Sequence, residues 1–211
     1  MPAKLPIDFV TFAGADNRAE MLRDTFRVIR PYFQTIHLLD TGSTDDTPTL
    51  AEEFDLNYFR QDGLNNGNWG PTISLALSHL KLGRWFVYMD SDERPSPHML
   101  DRLDEYVAYM HHNNFGQGAI YNILHLDGKH VEFSEDVDQH VASWDKEGII
   151  KHGRPKRNPF CKGAINRYFK NRISTNGPHF GIDSYNKKQV WLPTYYNHYK
   201  TQNQAEISWI M

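Results

Sequence analysis

The chain has 211 residues, a mass of 24.6 kDa, 39% hydrophobic, 23% charged and 13% aromatic residues, and a formal net charge of −3. That is enough for one domain with a real core, and it excludes wholesale disorder. No run approaches the ~18 apolar residues of a membrane span, the N-terminus MPAKLPIDFV lacks a long apolar signal region, and the single cysteine, Cys161, excludes an internal disulfide framework and a cysteine-based zinc knuckle. A cytoplasmic protein that binds no nucleic acid is expected.

In chain order, Ile7–Phe12 (IDFVTF) is a short apolar run rich in β-branched and aromatic residues, which predicts a strand. Arg18–Arg30 carries Leu22, Phe26 and Ile29 at helical spacing and stops at Pro31. Thr35–Leu39 reads as a second buried strand. It runs into the turn-forming cluster Asp40-Thr-Gly-Ser-Thr-Asp-Asp. Thr47 and Pro48 then open a short helix through Phe54, as N-cap and first-turn proline.

Leu56–Phe59 predicts a third strand, and Asp62–Gly70 a glycine- and asparagine-rich loop. Pro71–Leu82 predicts a helix through Ile73, Leu77 and Leu80. Trp85–Met89 (WFVYM) has the continuous apolar character of a central parallel strand covered on both faces. Ser96-Pro97 starts a periodic helix with Met99, Leu103, Tyr106 and Met110 on one stripe. His111-His112 falls at its end, where cations suit the helix dipole, and reads as structural. Strands alternating with helices imply an α/β fold with a doubly wound, mostly parallel sheet. We expect a single domain over 1–211, with a nucleotide-binding half (1–110) and an acceptor-side half (111–211).

Such sheets bind ligands at the carboxyl ends of their strands. Two of the strand-end segments are rich in carboxylates. Asp90-Ser91-Asp92-Glu93 follows the WFVYM run, so two carboxylates at i and i+2 can turn toward one hard cation, or form a solvated acidic turn. In Asp40-Thr-Gly-Ser-Thr-Asp-Asp-Thr, Gly42 permits a tight turn and Asp40 can accept hydrogen bonds from a base or ribose. Gly148–Ile182 contains eight Lys and Arg and no Asp or Glu. It suggests a basic lid or acceptor rim that meets an anion, or a solvated loop.

The segment LLDTGSTDDTPTLAEEF with GRWFVYMDSDE resembles the GT-A, family-2-type glycosyltransferases, especially a small branch with a W-x-x-x-x-D-x-D-E pattern. The resemblance covers about Ile7–Met110. Asn197-His198-Tyr199-Lys200 with Glu206 is similar to the H-Y-x-x-x-x-x-E ending of related transferases. The resemblance implies a GT-A fold, a nucleotide-sugar donor (usually a UDP-sugar), and Mn²⁺ or Mg²⁺. By motif position it puts Asp40 against the uridine, with Ser43 in the same loop, Asp90 near ribose or metal, and Asp92 as direct metal ligand. Phe12 and Ala13 would line the nucleotide pocket with Arg18 close by, although the first loop reads Asp16-Asn17-Arg18 where the family commonly has Asn-Glu. His198 would be a late metal ligand, with His179 the alternative.

For inverting transfer, the general base would be Asp136, in a Glu135-Asp136 pair that resembles the family's E-D motif, or Asp183. The acceptor is a glycan, lipid or protein. Two other readings stand beside this one: a non-catalytic nucleotide-sugar-binding module of the same fold, and a nucleotidyltransferase. The latter class typically has a more glycine-rich, basic first loop than AGADNRAE.

Overall fold

Alternation along the first strand sets both layers of the fold. In the computed structural model, which describes residues 5–64, 69–126, 129–131, 161–169, 173–176, 179–182, 186 and 188–200, β1 spans Leu5–Ala13. Its Ile7, Phe9 and Ala13 join one buried cluster, and Val10 and Phe12 join another. β4 (Trp85–Tyr88) and the residue after it repeat the pattern: Trp85, Val87 and Met89 on the first side, Phe86 and Tyr88 on the second. A strand apolar at every position must be covered on both faces, and it is.

The first face is covered by α1 (Ala19–Ile29) through Leu22, Phe26 and Ile29, and by α2 (Leu50–Phe54) through Leu50. Met99 and Leu100 of α4 (Pro97–Asp101) and Leu103, Tyr106 and Met110 of α5 (Leu103–His112) extend the same layer. The second face is covered by α3 (Trp69–Ser78) through Ile73, Ala76 and Leu77, with Leu80, Tyr168 and Ile182 beside them.

β2 (Phe33–Asp40), β3 (Asn57–Arg60), β1 and β4 form a parallel block in the order β3-β2-β1-β4. The block continues into β8 (Cys161–Arg167), β6 (Gln117–Leu126), β11 (Gln189–Lys200) and β5 (Glu93–Pro95). β7 (Lys129–Val131) pairs with β6. β8 lies antiparallel to both neighbours, so β6, and β11 parallel to it, run in the same direction as β1 and β4. The ends of β1, β2, β4 and β11 therefore meet at one edge. β9 (Ile173–Asn176) and β10 (His179–Ile182) form a separate antiparallel pair.

The expected elements of the first half are all present, with two differences there and a third further along the chain. Thr47 is not an N-cap: it lies inside a 3₁₀ turn, Thr47–Thr49, that precedes α2 and has Asp46 at its N-cap. The long helix after Ser96 is two helices, broken at Arg102, although Ser96 Oγ does accept from Met99 N–H at 3.0 Å. Within the basic stretch 148–182, the part from Cys161 to Arg167 is a strand in the middle of the main sheet, not a loop; most of that stretch lies outside the described residues.

A buried polar network locks β8 to β6. Gln117 Nε2 donates to Asn166 Oδ1 at 2.7 Å and to the Ile182 carbonyl at 2.6 Å, and its Oε1 accepts from Gln189 Nε2 at 2.9 Å. A Cβ on Gly163 would sit 2.4 Å from the Gln117 amide. Gly163→Ala must therefore displace a side chain whose hydrogen bonds are all in use. We expect a loss of about 1–3 kcal/mol, read as a lower urea midpoint with unchanged slope.

Candidate functional site

The site is assembled at the carboxyl edge of the sheet from four chain segments. The first is the turn after β2. Asp40 is completely buried, and its side chain folds the loop around itself. Oδ1 accepts from the backbone N–H groups of Gly42 (3.0 Å) and Ser43 (2.8 Å). Oδ2 accepts from Ser43 Oγ (2.5 Å), Tyr58 Oη (2.8 Å) and Arg60 Nη1 (3.3 Å). Gly42 has φ 126°, a backbone region closed to most side chains, so the turn needs glycine there. Burial by itself would raise the Asp40 carboxyl. The Ser43, Gly42 and Tyr58 donors outweigh it and hold the group below the usual range. Burial and the Asp40 charge together push the Tyr58 phenol up to about 12.

The second segment is the loop after β1. Thr41 donates to the Ala13 carbonyl from both its N–H and its Oγ1, each at 2.9 Å. Asn17, in a left-handed conformation with φ 51°, donates from Nδ2 to Thr44 Oγ1 and accepts from Thr44 N–H at Oδ1, each at 2.8 Å. The α1 N-terminus has no side-chain cap from its own N-cap residue, Arg18. Asp45 supplies one from the other loop: Oδ2 accepts from Ala19 N–H at 2.8 Å, and Oδ1 accepts from Thr47 N–H (3.1 Å) and Oγ1 (2.6 Å). The first two strand ends are thus one rigid unit.

The third and fourth segments are the Asp-Ser-Asp-Glu turn and β11. The Glu93 carboxylate accepts from Asp90 N–H at 2.9 Å, and Glu93 N–H donates to the Asp90 carbonyl at 3.0 Å. Tyr88 Oη donates to Asp90 Oδ1 at 2.6 Å. β5 then pairs with β11 so that Glu93 stands opposite His198, and Tyr199 N–H donates to the Asp92 carbonyl at 2.8 Å. Asp92, 9% exposed, has Arg18 Nη1 at 2.7 Å and His198 Nε2 at 3.4 Å from its Oδ2. Burial would raise its carboxyl. His198 and then Arg18 overcome that and hold it far below the ordinary carboxylate range. For Arg18, burial works against the charge, and Asp92, Asp16 and Asp90 restore it.

Of the residues singled out in the sequence, the structure brings Arg18, Asp90, Asp92 and His198 to one edge, with Asp40 and Ser43 in the neighbouring turn. Phe12 and Ala13 are buried at the end of β1, and Phe12 stacks on Tyr88 with ring centroids 6.2 Å apart. Asp136 and Asp183 lie outside the described residues, as does the side chain of His179. Sequence reasoning missed Tyr58, Arg60, Asp45 and Glu93. Asp45 was legible in principle, because an aspartate two residues before a threonine commonly folds its side chain back onto the chain.

Among the described residues there is no group of three or more His, Cys, Asp and Glu that could hold a metal ion. The donor set suits an open site instead. One nearly buried carboxylate and one imidazole converge within 3.4 Å, and a hard divalent ion characteristically completes its shell from phosphate and water. A Mn²⁺ or Mg²⁺ ion fits this pair, provided Arg18 leaves the shared oxygen.

Fold and site together define a GT-A-type α/β protein whose strand ends carry a carboxylate-rich edge. The profile of glycosyl transferase family 2 matches residues 15–123, just over half of the chain, and the chain belongs to that family. It is 25% identical over 142 aligned residues to an uncharacterized glycosyltransferase (MG060 homolog) of Mycoplasma pneumoniae, covering 59% of this chain and 40% of that protein. The chain thus spans about two fifths of that relative's length.

Glucosyl-3-phosphoglycerate synthase from Mycobacterium tuberculosis, solved with Mn²⁺, UDP and glucosyl-3-phosphoglycerate, shares the fold with a TM-score of 0.52. The identity is 16%, over 96% of this chain and 74% of that one. TarS of S. aureus (residues 1–349), solved with UDP-GlcNAc, shares it with a TM-score of 0.50 and 13% identity, over 93% and 59%. No helix among the described residues is long and apolar enough to cross a membrane.

Asp40, Asp45 and Asp92 all have carboxyls lowered by folding. A lowered folded value means that the stabilisation is present above the unfolded value, near pH ~4, and is lost as pH falls below it. Asp45→Ala should cost about 0.5–2 kcal/mol at pH 7 through loss of the α1 cap. The gap to wild type should narrow as pH falls below ~4, where wild type progressively loses the same contribution. Urea midpoints of the two proteins across that range measure it.

Proposed function

We propose that this chain is the donor-binding, catalytic part of a metal-dependent glycosyltransferase that moves a sugar from a nucleotide-sugar, a UDP-sugar for preference, to an acceptor hydroxyl with inversion. The observation that carries this reading is the nearly buried Asp92 beside His198 and Arg18, at the strand edge that also holds the Asp40 turn. Relatives of the same fold solved with UDP, UDP-GlcNAc and Mn²⁺ support it.

Asp92 and His198 would hold the cation, with Asp90 next to it. Such an ion, when bound, neutralises charge on the departing diphosphate. The rest falls to the chain's own groups. The Asp40–Ser43 turn and the end of β1 at Phe12 and Ala13 form a preorganised rim for the nucleoside. Because both Asp40 oxygens are engaged within the protein, Asp40 acts first by fixing that rim. A direct bond to the base would require exchange of one internal donor. Arg18 supplies a guanidinium at the diphosphate position. Asp136, or else Asp183, takes the proton from the acceptor hydroxyl on the face opposite the leaving group.

Asp92→Asn should weaken UDP binding in the presence of Mn²⁺ by at least about tenfold, since loss of groups that merely orient a ligand already costs that much. Isothermal calorimetry with and without Mn²⁺ checks it, and equal affinity in the two proteins contradicts the reading. The base is found by comparing Asp136→Asn with Asp183→Asn. The true base loses about 10²–10⁴ in transfer rate with UDP affinity nearly intact; if both variants keep full turnover, a carboxylate base at these positions is excluded.

A further inference from the structure

Arg18 stands where a cation would. Its Nη1 approaches Asp92 Oδ2 at 2.7 Å, and that same oxygen faces His198 at 3.4 Å. The other side of the guanidinium is held by Asp16, 2.6 Å from Nε. The side chain is 17% exposed, so its charge is compensated chiefly by protein. One carboxylate oxygen cannot serve a guanidinium and a hard divalent ion together, because two positive centres a few ångströms apart in a partly desolvated site repel strongly. A largely buried guanidinium that gives up one carboxylate must find another anion. A diphosphate is such an anion, and the planar fork of arginine matches its oxygens in pairs.

We propose that Arg18 is an intramolecular stand-in for the divalent cation: it neutralises Asp92 in the donor-free protein and transfers from Asp92 to the donor diphosphate when the cation binds. The inference rests on the metal-dependent reading above and goes beyond it by making Arg18 the link between two ligands. A metal ion arriving alone must displace Arg18 and leave it short of an anion. A metal ion arriving with a nucleoside diphosphate provides the replacement anion. The two ligands therefore bind with positive coupling, and by reciprocity each tightens the other equally.

The test is Mn²⁺ binding, followed by the electron paramagnetic resonance signal of the free ion, with and without UDP, for wild type, Arg18→Gln and Arg18→Lys. In wild type, UDP should tighten Mn²⁺ by roughly 5- to 150-fold, the usual range of such coupling. Arg18→Gln should bind Mn²⁺ alone at least about fivefold more tightly than wild type, and the tightening by UDP should be smaller than in wild type, leaving only the direct contact between phosphate and ion. Arg18→Lys, a cation without the planar fork, should fall between them.

Unchanged or weaker Mn²⁺ affinity in folded Arg18→Gln, while wild type keeps its UDP-dependent Mn²⁺ binding, overturns the stand-in role and leaves the metal-dependent reading in place. Wild type that shows no link between Mn²⁺ and UDP overturns both. Should Arg18→Gln fail to fold, Arg18→Lys decides: Mn²⁺ affinity and UDP coupling equal to wild type rule the proposal out.

Discussion

A carboxylate taken almost wholly out of water must be matched by positive charge or by hydrogen-bond donors, or it will not stay ionised. Asp92 meets that requirement with groups from two distant parts of the chain, Arg18 at the start of α1 and His198 near the end of β11. Much of the architecture serves this juxtaposition. β8 runs antiparallel between β4 and β6, which lets β11 run parallel to the first strands and end at their edge. The short strand β5 then reverses direction and binds β11 in the register that sets Glu93 opposite His198. The charge requirement of one side chain thus links the beginning, the middle and the end of the sequence.

The turn after β2 solves a different problem with the same kind of group. Asp40 receives five donor contacts, two of them from backbone N–H groups, and its charge is spread over the loop it closes. A loop held this way need not reorganise to present a fixed surface, and preorganisation is where much of binding affinity is gained. Asp40 and Asp92 therefore divide the labour. The first is saturated and builds shape. The second is met by the Arg18 guanidinium and the His198 ring, and under the proposed reading it is the group that receives the ion.

The first half of the fold was legible because its signals are local. WFVYM is apolar at five consecutive positions, and Leu22, Phe26 and Ile29 recur at helical spacing, so period alone assigns both elements. The carboxylate-rich edge followed from where the strands stop. What stayed hidden depends on distance. Nothing near Arg18 indicates that its partner is Asp92, since the pair exists only once α1 and β4 pack on the same sheet. The role of β8 was concealed by its own basic flanks, which read as a basic lid, an acceptor rim or a solvated loop. β5 is three residues long, too short to carry a period. Tyr58 looked like an ordinary strand residue and Arg60 fell just past the expected strand, until β3 paired with β2 and set them beside Asp40. The proposed general base, Asp136 or Asp183, falls outside the described residues.

The placement of β8 also bears on how the chain reaches this state. β4 and β6 are both made well before residue 161, yet neither can fill its inner edge until β8 arrives, since Trp85 pairs with Arg167 and Gln117 with Asn166. During synthesis, at ~5–20 residues per second, two apolar strands wait for several seconds with open hydrogen-bonding edges. Closing so wide a loop before any contact rewards it makes for slow folding. The parallel block β3-β2-β1-β4 can form early on local information, and the insertion of β8 joins it to the second half of the sheet. The step that joins the two halves of the sheet is therefore also the step that covers the facing edges of β4 and β6, and β11 then fills the other edge of β6 and brings His198 to the site.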